Sequence, residues 1–283
     1  MKRILSLLLA TVMVVLSLAL TSCGGVKPEM DLDNILKNGK LVVGMECAYA
    51  PYNWSEPKAN DYTVKVENGT YADGFDVQIA KKIADDLGVE LVIRAIEWDG
   101  LIPALESGEI DMIIAGMSPT EKRKLSIDFS DTYFDSNLVM VVKKDSAYVN
   151  ADDIQDFSGA KVTGQLNTFH YDVIDQINGV EKGTALQDFA ALIQSLESGA
   201  IDAYVCEKPG AVSAVAANEN FAFVEFEQGK GFVCDPAESS ISIGMRKGTS
   251  LLERVNEILA TITTAQREEM MNDAIARQPA SEE

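Results

Sequence analysis

LIPALESGEID, from Leu101 to Asp111, returns as LIQSLESGAID from Leu192 to Asp202, with eight of the eleven positions identical. In each copy apolar residues at helical spacing lead into a Ser-Gly pair. An Ile-Asp pair then opens an apolar run, DMIIAGM in the first copy and DAYVCEKPG in the second. Glycine just past a periodic run stops a helix, because it tolerates the left-handed backbone of a helix end. A short apolar run bounded by turn residues reads as a strand buried on both faces. The passage is helix, turn and strand, written twice.

The flanking sequence keeps the rhythm. Leu41 to Met45 reads as a buried strand, and Tyr62 to Val66 alternates into Asn68-Gly69, a strong hairpin signal. Phe75, Ile79, Ile83 and Leu87 share one face of a helix that Gly88 closes, and VELVIRA supplies the next strand. Beyond Asp145 come a strand at Lys161 to Thr163, a helix from Tyr171 to Ile177, and the second repeat. Pro209 opens an alanine-rich helix. A last long helix runs from Ser250 to about Gln278, followed by a tail that should fray. Strand-helix-strand units of this kind predict an α/β fold with parallel sheets. A chain of 283 residues is long enough for two ordinary cores.

In open α/β sheets ligands bind beyond the carboxyl ends of the strands. The first copy delivers Gly116, Met117, Ser118, Pro119, Thr120 and Arg123 to such a rim; the second delivers Cys206, Glu207 and Lys208. Ser118 or Thr120 can cap a short helix whose free N–H groups, with Arg123, attract an anion. The plain alternative is an ordinary capped helix with its arginine in solvent. One rim thus offers a cation and the other a carboxylate, which suits a zwitterion held between two lobes.

Net charge is -20, with 47% apolar and 24% charged residues, a globular composition that argues against a nucleic-acid partner. Lys2 and Arg3, an apolar run from Ile4 to Leu20, and LTSC ending at Cys23 form an export signal; a membrane anchor is the alternative. The remaining cysteines, Cys47, Cys206 and Cys234, match no zinc spacing, and the chain has one histidine, His170. Free thiols and a Cys206–Cys234 disulfide are equally open readings. EFEQGKGFVCDPAESS, from Glu225 to Ser240, is expected to form a loop or an extra hairpin.

Four stretches carry a family resemblance: GKLVVGMECAYAPYNW (Gly39 to Trp54), GFDVQIAKKIADDLG (Gly74 to Gly88), WDGLIPALESGEIDMIIAGMSPTEKRKLSIDFSDTYF (Trp98 to Phe134) and GQLNTFH (Gly164 to His170). Together, over about residues 36 to 265, they resemble the family 3 extracellular solute-binding proteins, the amino-acid receptors of bacterial ABC importers. The amino-terminal segment resembles a lipoprotein signal of residues 1–22, with Cys23 as the lipidated residue and 23–30 as a tether. The resemblance implies a type II periplasmic-binding-protein fold of two α/β lobes joined by two crossing segments. Lobe one would hold residues 31–136 and 242–283, and lobe two 137–241.

Residue by residue, the resemblance implies that Arg123 pairs with the α-carboxylate of a free amino acid, helped by N–H groups of Ser118 and Thr168. The Gly116 carbonyl and the Ser118 hydroxyl would accept from the α-ammonium. Glu207 stands where the family has an ammonium-binding aspartate, a departure by one methylene. Tyr49 and Trp98 match aromatics that sandwich the ligand side chain. Glu46 favours a polar or basic ligand, Gln165 faces the cleft with Cys47 and Cys206 at its border, and Asn167 replaces a turn glycine. Phe169 and His170 line the mouth, although a lone histidine is more commonly a surface or capping residue. No catalytic residue, cofactor or metal is implied. The partners expected are the amino acid, an ABC permease and the membrane through the lipid. Two other functions stay open: a cleft enzyme of the cyclohexadienyl dehydratase type and a ligand-sensing module.

Overall fold

Both copies of the repeat fold as helix, turn and strand. The computed structural model describes residues 27–235 and 239–279, so the signal segment, Cys23 and residues 280–283 lie outside the described residues. Leu101–Ser107 ends just before Gly108 and Phe189–Glu197 ends two residues before Gly199, with glycine φ values of 80° and 74°. The repeated aspartate has one job in both copies. Asp111 Oδ2 accepts from the Val42 N–H at 2.9 Å, and Asp202 Oδ2 accepts from the Lys161 N–H at 2.7 Å. Each carboxylate satisfies a backbone donor at the start of the neighbouring strand, which fixes the strand order locally.

In chain order the helices are α1 (Asp31–Asn38), α2 (Phe75–Leu87), α3 (Leu101–Ser107), α4 (Glu121–Lys124), α5 (Phe169–Asp172), α6 (Phe189–Glu197), α7 (Lys208–Ala217), α8 (Leu252–Ala260) and α9 (Thr264–Arg277). The first five-stranded sheet joins β1 (Lys40–Met45), β6 (Glu90–Ala95), β7 (Met112–Ile113), β8 (Ile127–Phe129) and β16 (Gly244–Arg246) in the order β6-β1-β7-β16-β8. The second joins β10 (Leu138–Lys143), β11 (Lys161–Thr163), β12 (Glu181–Lys182), β13 (Ala203–Glu207) and β14 (Phe221–Val224) in the order β12-β11-β13-β10-β14. A smaller sheet, order β2-β3-β5-β4, is built from Ala48–Tyr49, Asn53–Glu56, Val64–Lys65 and Tyr71–Asp73, and the expected hairpin turns between the last two.

The main sheets are mixed rather than parallel. β1 runs parallel to β6 and β7, and β11 parallel to β12 and β13, but β16 and β10 are antiparallel to their neighbours. These two strands lie just beyond the crossings between the sheets. They enter without a helical crossover of their own sheet, so nothing compels the parallel direction. The crossings themselves pair as a ribbon: β9 (Phe134–Asp135) lies antiparallel to β15 (Ser240–Ile241). A further tie joins α9 to α7 through Gln278 Nε2, which donates to the Ser213 carbonyl at 2.8 Å.

Two local expectations change, and one open alternative closes. The last long helix is two, α8 and α9, because Thr263 breaks it with a reciprocal cap: the Gln266 N–H donates to Thr263 Oγ1 at 3.3 Å, and the Thr263 N–H to Gln266 Oε1 at 2.9 Å. The helix expected at Tyr171 to Ile177 starts earlier, as α5, and tightens into a 3-10 turn, Val173–Gln176. Residues 225–235 form no strand; Phe226 anchors the loop edge-on to Phe157 and Phe232, with ring centroids 6.3 and 6.1 Å apart. The three described cysteines are free thiols. No described helix is long and apolar enough to cross a membrane.

A buried ion cluster fastens α1 to the first sheet. Arg246 Nη2 lies 2.9 Å from Asp31 Oδ1 and 3.3 Å from Asp111 Oδ1, while Nη1 donates to the Leu105 and Ile110 carbonyls. Removing one partner of such a cluster strands the others without solvent, at about 3–5 kcal/mol. Urea denaturation of Arg246→Leu should show a loss of that size, and an unchanged midpoint would contradict the role.

Candidate functional site

β7 ends two residues before Ala115, and the chain turns at Gly116 with φ 61°. A Cβ there would sit 3.2 Å from the Tyr49 ring, so the position suits glycine twice over. The turn rests on Asp76, which accepts from the Gly116 N–H, from Tyr133 Oη at 2.7 Å and from Asn53 Nδ2 at 2.8 Å. Burial outweighs these hydrogen bonds and pushes the Asp76 carboxyl up to about 6.

Ser118 follows, 2% exposed, and then α4. Of the two candidate caps Thr120 is the one used: its Oγ1 accepts from the Arg123 N–H at 3.3 Å. Arg123 Nη1 donates to the Ser118 carbonyl at 2.8 Å, and the guanidinium carbon lies 5.0 Å from the centre of the Trp98 ring. Nη2 reaches the Asn167 carbonyl of the second lobe at 3.3 Å.

From the second lobe, β13 ends at Glu207, which is 1% exposed. Its Oε2 accepts from the Tyr49 hydroxyl across the cleft, and its Oε1 lies 2.9 Å from His170 Nε2. Burial would raise the carboxyl, but the His170 charge beside it and the hydrogen bond from Tyr49 hold it below the usual carboxylate range. Asn167 takes the left-handed backbone, φ 57°, and donates through Nδ2 to Asp99 of the first lobe at 2.8 Å. Thr168 follows, with its Oγ1 donating to the Gln165 carbonyl at 2.7 Å.

One cavity collects nine of the ten expected ligand contacts: Gly116, Ser118, Arg123, Trp98 and Tyr49 from one side, and Gln165, Thr168, Phe169 and Glu207 from the other. Its free volume of about 10 Å³ holds about one water. An amino acid enters only if the lobes part. Glu46 stands outside this lining, at the seam, where Gln165 Nε2 donates to its two carboxylate oxygens at 3.0 and 3.3 Å. Burial first, then the charges of Asp188, Asp99 and Glu97, push the Glu46 carboxyl up to about 7.

Two placements differ from the sequence reading, and one alternative closes. His170, read as a mouth residue with a surface or capping role as the alternative, is 4% exposed and lines the cavity beside Phe169. Cys47 and Cys206 do not line it. Tyr49 is packed ring to ring on Phe189 of the opposite lobe, centroids 3.9 Å apart and 10° from parallel. That ring face is covered, and what Tyr49 directs at Glu207 is its hydroxyl.

With this geometry in hand, comparison with known proteins identifies the lineage. Residues 41–273 match the model of the bacterial extracellular solute-binding proteins, family 3. The chain belongs to that family. It is 29% identical over 265 residues to the arginine-binding extracellular protein ArtP of Bacillus subtilis, covering 92% of each chain. Among solved structures it resembles an amino acid ABC transporter substrate-binding protein from Streptococcus pneumoniae bound to L-arginine, with TM-score 0.75, 25% identity, and 87% and 98% of the two chains covered. It also resembles the ancestral amino acid-binding protein AncCDT-1, a precursor of cyclohexadienyl dehydratase, with TM-score 0.70, 30% identity, and 86% and 99% covered. The fold is the type II fold of these amino-acid-binding proteins, two α/β lobes about a shared cleft.

The raised Glu46 carboxyl has a thermodynamic consequence. A carboxyl that titrates higher folded than unfolded costs stability above its folded pKa, and the cost vanishes on acidification towards the unfolded value. Glu46→Gln should therefore raise stability by about 1–3 kcal/mol at pH 8 and by much less at pH 5. Equal shifts by scanning calorimetry at the two pH values would contradict the burial assigned to Glu46.

Proposed function

We propose that the protein captures a free polar amino acid between its lobes, with a basic side chain favoured, and presents it to an ABC permease. The lobes are taken as residues 31–136 with 242–283, and residues 137–241. The protein is exported and held at the membrane by lipid on Cys23. The observation that carries this reading is that Arg123 and Glu207, of opposite charge, line one cavity from opposite lobes. A zwitterion bridging them joins the lobes through its own two charges.

The side-chain preference rests on the seam. Glu97, Asp99 and Asp188 lie close enough to Glu46 to raise its carboxyl, and four acids so grouped favour an incoming cation over a neutral or anionic group. An enzymatic reading would make Glu46 or Glu207 a general acid. The Glu207 carboxyl lies below the usual range, which suits a permanent acceptor for an ammonium better than a proton donor, and Glu46, whose carboxyl is raised to about 7, stands at the seam outside the cavity lining.

A thermal-shift panel of the twenty amino acids should give its largest stabilisation with arginine or lysine, and stabilisation by apolar members alone would end the basic preference. Arg123→Ala should weaken binding by about 2–5 kcal/mol, because the ligand carboxylate would be buried unpaired; unchanged calorimetric affinity refutes the assignment. Near pH 7 Glu46 is partly protonated, and a docking cation favours its ionised form. Arginine should therefore release more protons on binding than glutamine does, measured by calorimetry in buffers of different ionisation heat, and affinity for arginine should rise from pH 6 to 8.

A further inference from the structure

The histidine at the cleft mouth sits against the carboxylate that the proposed function needs. His170 comes from α5 and Glu207 from β13, both at least nine-tenths buried, with Nε2 and Oε1 2.9 Å apart. Glu207 Oε2 accepts from Tyr49, while Oε1 faces the imidazole as a close contact, of opposite charge once the ring is protonated. Among the described residues His170 Nδ1, His170 Nε2 and Glu207 Oε1 are all buried and make no hydrogen bond, so the charge on the ring is felt by the carboxylate directly.

We propose that His170 is a positioning residue which sets how much negative charge Glu207 offers to the ligand ammonium, giving up a proton from the ring when the ammonium docks. The inference rests on the amino-acid reading above and adds a proton to it. With His170 charged, Glu207 is already neutralised and the ammonium meets a like charge. With His170 neutral, the full carboxylate is offered. Binding of any α-amino acid therefore weakens as pH falls through the imidazole titration, whatever its side chain.

The other groups facing this pair do not supply the same effect. Tyr49 and Tyr52 from the β2 region and Cys206 on β13 are pushed well above their usual ranges by burial and stay uncharged through neutral pH. Arg123, across the cavity, keeps its charge throughout. Asp76 titrates near 6, and Glu46, at the seam, near 7, so a pH profile of affinity alone would mix three groups. The ring must be read directly.

The composition makes that possible, because His170 is the one histidine in the chain and its ring resonance needs no assignment. The experiment is an NMR titration of the ¹³C-labelled imidazole from pH 5 to 8.5, without ligand and with saturating L-arginine or the strongest binder of the panel. Ligand should lower the midpoint by about one pH unit, which corresponds to about a tenfold loss of affinity between the two limits. The α-keto acid of arginine, which lacks the ammonium, should leave the midpoint in place. With the strongest binder of the panel, His170→Gln should lose the part of the acid weakening that this group causes, whereas a purely structural role would weaken binding by the same factor at every pH. If the amino acid binds by calorimetry and the midpoint stays put, this inference falls alone. If no amino acid gives heat or stabilisation, the proposed function falls and takes this one with it.

Discussion

Burying opposite charges on the two faces of one seam is the constraint around which this molecule is arranged. Arg123 and Glu207 are carried to the same cavity by different lobes, and neither can stay there without partners. In the closed arrangement the protein supplies those partners itself: carbonyls of Ser118 and Asn167 and the face of Trp98 for the guanidinium, Tyr49 and His170 for the carboxylate. A ligand must replace them with something better. A zwitterion does so at both ends at once, which a simple cation or anion cannot.

Closure is part apolar and part polar. Tyr49 stacks on Phe189 inside an apolar cluster that draws residues from both lobes. Asn167 to Asp99, Gln165 to Glu46 and Gln187 to Glu97 are hydrogen bonds between lobes, which exchange for water with little net cost, about 0.5–1.5 kcal/mol each. The paired β9–β15 ribbon leaves the two sheets connected when the seam opens.

Much of this was readable in the residues. The repeat announced two equivalent helix-to-strand passages, and its Ser-Gly and Ile-Asp pairs do the same work in both lobes, down to the aspartate that holds the adjacent strand. Thr120, Gly116 and the left-handed Asn167 follow from local turn and cap chemistry. The split between α8 and α9 was also written, as Thr-x-x-Gln at Thr263, but a long amphipathic stripe concealed it. What local pattern could not give was contact between segments distant in the chain. His170 has no periodic context that separates a surface imidazole from a buried one, and it is covered by Phe169, Phe189 and Glu207, brought together by the fold of its own lobe. The stack of Phe189 on Tyr49 joins residues from opposite lobes and leaves no local trace. The strand directions of β10 and β16 depend on the crossings rather than on the βα rhythm.

The central claim is that the ligand is held by both of its backbone charges. Calorimetry of the wild-type protein with L-arginine and with decarboxylated arginine, which keeps the guanidinium and an amine but lacks the carboxylate that Arg123 would grip, tests it most directly. The account predicts at least a hundredfold weaker binding of the decarboxylated compound, about 2.7 kcal/mol. Equal affinity for the two would contradict it.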